Sequence, residues 1–378
     1  MPTVNAYELT RELLRFNTIN PPGDERLCAE HLGKLLERHG FTAAYHAFAE
    51  NRTSLVAKIG GNASKPPICF TGHIDIVPLG NAPWQNDPFA GETDAGKLFG
   101  RGSSDMKSGV AAFVAAAIEL APLLKNSPGL VFVITAGEER GCEGADHLES
   151  LQRQFGALGT AGAIVVGEPS SNYPFVGHKG AYWLTAKTHG VTAHGSMPEL
   201  GVNAIYKAAK AVTKLEHYEF TAPSHFMMGK PTMNVGMMHG GLNPNSVPDE
   251  ASITIDIRTI PNQDHKELHR HLKQTLGSDV ELTTMIDVPS VWTEPSHPWV
   301  QSVFEITAKY IAEKPQARTA TYFTDAAALR KAYNSPPTVI LGPGEAAMAH
   351  QTDEYCYVNR LEASVAIYRD IMQKWCGV

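Results

Sequence analysis

The chain has 378 residues, enough for about two domains, and 43% of them are hydrophobic while 19% are charged. A net charge of −7 and the lack of a Lys/Arg-rich stripe argue against nucleic acid as a partner. No apolar run approaches the ~20 residues of a membrane span, and the first residues resemble an amphipathic helix rather than a signal peptide. The five scattered cysteines lack metal-finger spacing, so we expect a cytoplasmic protein that does not bind membranes.

Helix and strand patterns alternate through the first half of the chain. Leu9, Leu13 and Phe16 mark one helix face, and the leucines of residues 32–36, ahead of Gly40, mark a second. Short apolar runs then predict strands, with a helix of small residues between the second and third: SLVAKI (54–59), PICFTG (67–72), LVFVITA (130–136) and AIVVGE (163–168). Nearly continuous apolar strands favour a mixed, largely parallel sheet sandwiched by helices, an α/β fold.

The pattern changes after about residue 177. AYWLTAKTH alternates like a half-exposed strand, and the elements that follow complete the order β-α-β-β-α-β of the split βαβ sandwich. The α/β pattern returns near residue 290, with a helix near 299–312, the strand TVILG and a C-terminal helix. We therefore predict a large α/β domain, residues 1–177 and 290–378, interrupted by a small α+β domain, residues 178–289.

Polar residues follow the predicted strands of the large domain, in TGHID, TAGEE, GEPS and GPGEAAMAHQ, and Asp105 precedes the small-residue helix. Ligand sites in open α/β sheets lie beyond the carboxyl ends of the strands, so we expect these residues to converge. Histidines and carboxylates together suit zinc, or cobalt or manganese. Taken singly, a strand-end carboxylate is better explained as a helix cap, as Asp105 could be, and His73 could be a core histidine. Their coincidence at successive strand ends favours a metal site.

Five motifs closely resemble the signatures of the M20 metallopeptidase family: TGHIDIVP, GRGSSDMKSG, TAGEERG, VGEPS and GPG…AHQTDEY. That family includes acetylornithine deacetylase, succinyl-diaminopimelate desuccinylase, glutamate-releasing carboxypeptidases and aminoacylases. The motifs occur in the family's order, and the resemblance runs from about residue 8 to the C-terminus. The inserted domain falls where the family has its lid and dimerisation domain, so the resemblance implies a homodimer.

The resemblance implies two zinc ions, replaceable by cobalt or manganese, that are bridged by Asp105 and a water or hydroxide. His73 and Glu168 would complete one site, and Glu139 and His350 would complete the other. Two-metal sites hold their ions roughly 3.5–4 Å apart, a span that a single carboxylate can bridge. The peptide bond after Asp105 is implied to be cis.

Three further residues take catalytic roles in the resemblance. Glu138 would be the general base that takes a proton from the bridging water and passes it to the leaving amine. Asp75 would accept the imidazole N–H of His73 and so fix its tautomer. His194, in GVTAHGSMPELGVNAI, resembles the lid histidine that donates to the tetrahedral oxyanion and, in dimeric members, reaches into the other subunit's active site. Without the resemblance, His194 is equally well explained as a loop histidine.

Substrate-binding residues are predicted from weaker signals. Asn245 and Arg258 resemble the lid residues that hold the substrate carboxylate, although Arg258 is equally well explained by a surface ion pair. Lys179 stands at the lid hinge, where desuccinylases carry Arg. Thr324 belongs to YFTDAAAL, which departs from the desuccinylase pattern GGTSD and looks more like deacetylase or carboxypeptidase forms. The backbone N–H of Gly342 is a further candidate for binding a carboxylate.

The leading hypothesis is a dinuclear zinc-dependent amidohydrolase that cleaves the amide bond of an N-acetyl- or N-succinyl-amino acid. A dipeptidase or carboxypeptidase of the same family remains the alternative. A non-enzymatic binding relative is disfavoured, because a binding module has no need of a base beside the metal. A serine hydrolase is also disfavoured, since the sequence has no G-x-S-x-G elbow.

Overall fold

The computed structural model describes residues 4–61 and 65–378, which form two compact units. Unit 1 contains the described residues up to Gly177 together with Trp292–Ala320 and Thr324–Val378, and unit 2 contains His178–Val291 and Thr321–Phe323. The predicted insertion, 178–289, starts where the main segment of unit 2 starts and ends two residues before that segment ends at Val291. It also omits 321–323, because so short a segment carries no periodic pattern.

The strands, in chain order, are β1 (Thr42–Ala49), β2 (Arg52–Ile59), β3 (Ile68–His73), β4 (Thr93–Asp94), β5 (Lys97–Phe99), β6 (Leu130–Thr135), β7 (Ala163–Val166), β8 (Gly177–His178), β9 (Gly180–His189), β10 (Thr232–Gly240), β11 (Glu250–Thr259), β12 (Val280–Val288), β13 (Val291–Trp292), β14 (Thr338–Ile340) and β15 (Tyr355–Tyr357). The α-helices are α1 (Ala6–Leu14), α2 (Arg26–Glu37), α3 (Lys107–Leu124), α4 (Glu143–Phe155), α5 (Ala204–Glu216), α6 (His265–Leu276), α7 (Pro298–Thr307), α8 (Ala326–Ala332) and α9 (Val358–Cys376).

Unit 1 is built on a six-stranded sheet with the strand order β1-β2-β6-β3-β7-β14. Strands β6, β3, β7 and β14 are parallel to one another. Strand β2 is antiparallel to β6, and β1 is antiparallel to β2. Every residue of β3, β6 and β7 is buried. The prediction of a mixed, largely parallel sheet covered by helices is therefore confirmed.

Alternation along the central strands directs side chains to two helical layers. Phe70 and Phe132 pack with Phe113 of α3 and Tyr368 of α9 in the main hydrophobic core, to which α1 and α2 also contribute. Cys69, the neighbour of Phe70, points to the opposite face, where it contacts the end of α8, and α4 packs against α8. The helices thus leave open the edge formed by the strand ends.

The central helix α3 is long and apolar enough to cross a membrane by length and composition alone. Of this helix, 83% is buried inside unit 1, where it packs against α1, α9 and β3. Its small residues permit close backbone contact: a Cβ on Gly109 would lie 2.1 Å from the carbonyl oxygen of Gly167. The helix is therefore a core element that lies directly against the end of β7.

Unit 2 has the predicted element order β-α-β-β-α-β, formed by β9, α5, β10, β11, α6 and β12. Its four strands make an antiparallel sheet in the order β10-β11-β9-β12. Ile253, Ile255 and Ile257 of β11 form the core of this unit with Leu268 and Leu272 of α6. Strand β10 is an edge strand whose residues are mostly exposed.

Candidate metal centre

The carboxyl ends of three parallel strands lie side by side at one edge of the unit 1 sheet. The last residue of β3 is paired with the last residue of β6, and β7 runs parallel on the other side of β3. Six predicted site residues lie on these strand ends or on adjoining loops: His73, Asp105, Glu138, Glu139, Glu168 and His350.

Asp105 lies between the two histidines of the cluster. His73 Nε2 is 3.1 Å from Asp105 Oδ1, and His350 Nε2 is 3.5 Å from Asp105 Oδ2. Glu168 Oε1 lies 3.7 Å from His73 Nε2, and Glu139 Oε2 lies 3.1 Å from His350 Nε2. Each imidazole therefore faces one oxygen of Asp105 and one further carboxylate, in the same pairs that the resemblance implies.

The donor atoms of this cluster fit a divalent cation. Two sets of donors each lie within 4.8 Å of one another, namely His73, Asp105 and Glu139, and His73, Glu138 and Glu168. Glu139 Oε1 is buried and accepts no hydrogen bond from the described residues. Imidazole nitrogens and carboxylate oxygens at this density are the ligand set of zinc, and a cation would satisfy the free oxygen.

The carboxylates of the centre repel one another in a dry environment. Burial and neighbouring negative charges raise the pKa of Glu139 to about 7 and raise the pKa values of Glu138 and Glu168 well above their usual range. Burial alone would lower the pKa of His73, but the surrounding carboxylates outweigh it and raise the pKa. This excess of negative charge favours the binding of a cation.

Asp75 orients the centre differently from the expectation. His73 Nδ1 donates to the backbone carbonyl of Asp75 at 2.9 Å, while the carboxylate of Asp75 lies at 3.6 Å. The carboxylate accepts instead the backbone N–H groups of Glu138 at 3.0 Å and Glu139 at 3.2 Å, and the side-chain amide of Asn20 at 2.9 Å. These three donors hold it away from the imidazole, so Asp75 fixes His73 through its main chain and fixes the Glu138–Glu139 turn through its side chain.

The local backbone agrees with the resemblance at two points. The peptide bond between Asp105 and Met106 is cis. Glu138 and Glu139 turn to different partners, since Glu139 contacts His350 and Glu138 belongs to the donor set around His73. The adjacent glutamates therefore serve the two sides of the same cluster.

Two residues predicted to bind substrate are engaged within the fold of unit 1. Thr324 is buried, and its Oγ1 accepts the backbone N–H of Ala326 at the start of α8 at 3.2 Å. The backbone N–H of Gly342 donates to Ser170 Oγ at 3.0 Å. A Cβ on Gly342 would lie 2.1 Å from the carbonyl oxygen of Gly167, so this glycine allows close packing beside the end of β7. The structure thus gives Thr324 a helix-capping contact and Gly342 a close-packing position, and their binding of a substrate stays a prediction.

His194 and Asn245 lie on neighbouring loops of unit 2. The backbone N–H of Gly195 donates to the carbonyl of Asn245 at 2.8 Å, and His194 forms a β-bridge with Ser246. His194 is exposed, and the backbone N–H of Ser196 donates to its Nδ1 at 3.2 Å. Because Nδ1 accepts this hydrogen bond, the neutral imidazole carries its proton on Nε2.

Arg258 and Lys179 each have a partner inside unit 2. Arg258 Nε lies 3.0 Å from Asp256 Oδ1, and the guanidinium lies over the Trp183 ring, 5.8 Å from its centroid. Lys179 Nζ donates to the carbonyl of Lys230 at 2.8 Å. The ion pair that was the alternative explanation for Arg258 is therefore present. Asp256 and Arg258 are two residues apart on one strand, so alternation could have predicted the pair.

Sequence reasoning missed two polar residues close to the centre. Asn20, whose amide holds Asp75, precedes the Pro-Pro-Gly turn at residues 21–23, a loop signal that does not reveal a distant partner. Asp325 is buried and accepts a short hydrogen bond from the Thr135 hydroxyl at the end of β6. Burial raises the pKa of Asp325 to about 6. Asp325 lies in the motif YFTDAAAL, which the sequence analysis singled out, but the sequence does not show that its carboxylate is buried at the start of α8.

Known proteins resemble this chain in sequence and in fold. The family model for peptidase family M20/M25/M40 matches residues 69–374. A probable succinyl-diaminopimelate desuccinylase of Staphylococcus epidermidis is 30% identical over 98% of both chains, and an acetylornithine deacetylase of Vibrio cholerae is 29% identical over 100% of both. The crystal structure of an M20-family metallo-carboxypeptidase from Sulfolobus solfataricus is 18% identical, covers 98% of this chain and 99% of its own, and has a TM-score of 0.83. The chain belongs to the M20/M25/M40 peptidase family, hydrolases of amide or peptide bonds.

Proposed function

We propose that this protein is a dinuclear zinc amidohydrolase that cleaves the amide bond of an N-acetyl- or N-succinyl-amino acid. The observation that carries the proposal is the position of Asp105, whose two carboxylate oxygens face His73 and His350 separately. A bridging carboxylate between two imidazoles suits a pair of ions rather than one. The names of the two relatives, a desuccinylase and a deacetylase, support an N-acyl amino acid as substrate.

The ligands divide between the two ions along the observed contacts. His73 and Glu168 would hold one ion, Glu139 and His350 would hold the other, and Asp105 would contribute one oxygen to each. When bound, the ions polarise the scissile carbonyl and lower the pKa of an attacking water. Cobalt or manganese accepts the same donors and would serve as a substitute.

Glu138 holds and moves the proton in this proposal. A carboxylate oxygen of Glu138 takes the proton of the attacking water and later donates it to the nitrogen of the leaving amine. The side chain is 5% exposed, and burial together with neighbouring carboxylates raises its pKa. The Asp75 carboxylate holds the backbone of Glu138 in place.

His194 would stabilise the oxyanion that forms from the substrate carbonyl. Its Nδ1 accepts the hydrogen bond from Ser196, so the Nε2–H is the group left to donate. A positioned N–H donor of this kind contributes to catalysis where negative charge develops. Asn245, on the adjoining loop, and Arg258 are the proposed partners of the substrate carboxylate.

A homodimer formed through unit 2 is part of the proposal. The edge strand β10 and its neighbours expose large apolar side chains, among them Leu200, Tyr206, Met237 and Leu242, the last of which is 97% exposed. Edge strands with exposed apolar residues are uncommon in monomers. Light scattering on the purified chain should give the dimer mass, and Tyr206→Glu combined with Leu242→Glu should shift it toward the monomer. A monomeric wild type would contradict this part of the proposal.

The experiment that tests the function is a hydrolysis panel with the zinc-reconstituted protein. The substrates are N-acetylornithine, N-succinyl-diaminopimelate, several N-acetyl amino acids and Xaa-Glu dipeptides. We expect one of the N-acyl amino acids to have the highest kcat/KM, and we expect chelation to abolish turnover until Zn²⁺ or Co²⁺ is returned. Preference for dipeptides would replace the deacylase by a peptidase of the same family. No hydrolysis in the presence of metal would favour a binding protein.

A further inference from the structure

Two charged residues that the proposed chemistry does not use form a buried ion pair in unit 1. Arg101 is 1% exposed and Glu354 is 0% exposed, and Arg101 Nη1 lies 2.8 Å from Glu354 Oε2. Burying two charges costs so much desolvation that such a pair adds little net stability compared with apolar side chains. The contacts around the pair indicate what else it does.

Glu354 binds the loop that carries Asp105. Its Oε2 accepts the backbone N–H of Gly102 at 3.0 Å, and its Oε1 accepts those of Ser104 at 2.8 Å and Asp105 at 2.9 Å. One carboxylate therefore holds three main-chain donors of this loop, including the N–H of Asp105 itself. The position of the Asp105 backbone depends directly on Glu354.

Arg101 binds the loop that carries His350. Its Nη1 donates to the carbonyl of Gln351 at 3.1 Å, and its Nη2 donates to the carbonyls of His350 at 3.4 Å and Pro78 at 3.3 Å. The guanidinium also lies over the Trp84 ring, 5.1 Å from its centroid. The planar fork of an arginine can hold several carbonyl groups at once, which the single ammonium of a lysine does less well.

Each of the two residues thus binds the loop that carries the other. Arg101 belongs to the Asp105 loop and binds the His350 loop, whereas Glu354 belongs to the His350 loop and binds the Asp105 loop. A second connection runs parallel to the first, because Ser104 Oγ donates to the carbonyl of Tyr355 at 2.7 Å. The loops carrying two proposed metal ligands are therefore tied together by buried polar contacts.

We propose that Arg101 and Glu354 are positioning residues that set the separation of Asp105 and His350, and thereby the affinity for the ion these two ligands share. The inference rests on the proposed metal centre and extends it to residues that would not touch the metal. Outer partners that orient ligands commonly change metal affinity when they are altered.

The test is a titration of the metal-free protein with Zn²⁺, in the wild type and in Glu354→Gln. The substitution keeps the side-chain volume but replaces one acceptor oxygen by an NH₂ group that faces N–H donors. We expect affinity for one of the two ions to fall by about 10–100-fold. The visible absorption spectrum of the Co²⁺-loaded protein should change as well, since it reports ligand geometry.

The matched control is Glu25→Gln. Glu25 is also fully buried and paired with arginine, since its carboxylate accepts the Nε–H of Arg52 at 2.8 Å. The Glu25→Gln substitution should lower the midpoint of thermal unfolding while leaving the affinities for both zinc ions unchanged. This variant separates loss of a buried charge pair from loss of ligand positioning.

Wild-type metal affinities and an unchanged Co²⁺ spectrum in Glu354→Gln would overturn the inference and leave Glu354 a purely structural role. If that variant does not fold, Arg101→Lys replaces it, with a smaller loss of affinity expected and wild-type affinity again overturning the inference. A wild-type protein that takes up no metal would overturn the proposed function itself, and the inference would fall with it.

Discussion

Units 1 and 2 treat their functional polar groups in opposite ways. In unit 1 the carboxylates are buried together, their pKa values are raised, and one oxygen of Glu139 has no donor among residues 4–61 and 65–378. In unit 2 the corresponding candidates already have partners, as Arg258 has Asp256 and Lys179 has the carbonyl of Lys230. The first arrangement is a buried cluster whose negative charge favours the binding of a cation. The second is a set of partly exposed groups whose present partners would have to be replaced if they bind a substrate, as we propose.

The largest expected effect distinguishes the proposed roles of Glu138 and Glu139, which are adjacent in the candidate metal centre. Glu138→Ala should lower kcat by about 10²–10⁴-fold while both ions remain bound, because it removes the proposed base and no assigned ligand. Glu139→Ala should lower the number of ions bound per chain. Steady-state kinetics and zinc titration measure the two effects. Glu143→Ala, a change to an exposed carboxylate on α4, is the control, and wild-type turnover in Glu138→Ala would contradict the assignment.

The raised pKa of Glu139 predicts how the free energy of unfolding depends on pH. Glu139 has a pKa of about 7 in the folded, metal-free protein, against 4.5 for the ordinary group, so the folded state binds this proton more tightly. The free energy of unfolding should therefore fall as pH rises from about 4.5 to about 7.

Urea unfolding with and without Zn²⁺ measures this effect. A bound cation favours the ionised carboxylate, so zinc should reduce the fall. Glu25, whose pKa burial also raises to about 7, contributes a fall of the same sign in both forms. The same pH dependence with and without zinc would contradict the proposed role of Glu139.

A smaller effect is expected in unit 2. Arg258→Ala should raise KM for an N-acyl amino acid by about 10–100-fold with little change in kcat, because a hydrogen bond to a charged group contributes about 1.5–3 kcal/mol. Arg270→Ala is the control, since Arg270 is an exposed arginine of the same unit that pairs with Glu267. Equal KM values in the two variants would remove Arg258 from the substrate site.

The smallest effect tests whether Arg258 exchanges partners. Asp256→Asn removes the charge that now pairs with the guanidinium. An exposed ion pair is worth about 0.2–1 kcal/mol, so KM should fall by no more than a few-fold. A rise in KM would instead indicate that Asp256 orients Arg258 for the substrate, and the comparison between the units would need revision.

The sequence predicted most of the strand-end centre because its residues follow recognisable apolar strands. His73 is the last residue of β3 and Glu168 follows β7 by two residues, so their convergence follows from parallel strand geometry. Strand β1 was not predicted, because its exposed TAAYHAFA segment has few strongly apolar residues. Helices α4 and α8 were also missed, since both adjoin motifs that were interpreted chemically.

The contacts that hold the centre were less accessible to sequence reasoning. Glu354 binds Asp105 across 249 residues, and Asn20 binds Asp75 across 55. Such partners are set by packing in three dimensions and leave no periodic signal. The Gly342 N–H was available as a donor in the sequence, and only the structure shows that Ser170 uses it.

The contact between Gly109 and Gly167 has a consequence for protein engineering. Replacing a glycine inside a helix by alanine normally stabilises a protein by up to about 1 kcal/mol. In α3 the added methyl group would stand 2.1 Å from a carbonyl oxygen one residue before Glu168. A routine thermostabilising substitution would thus force the helix and the end of β7 apart. The substitution would also displace Glu168, a proposed metal ligand, so a gain in heat resistance at this position would come at the expense of the proposed metal centre.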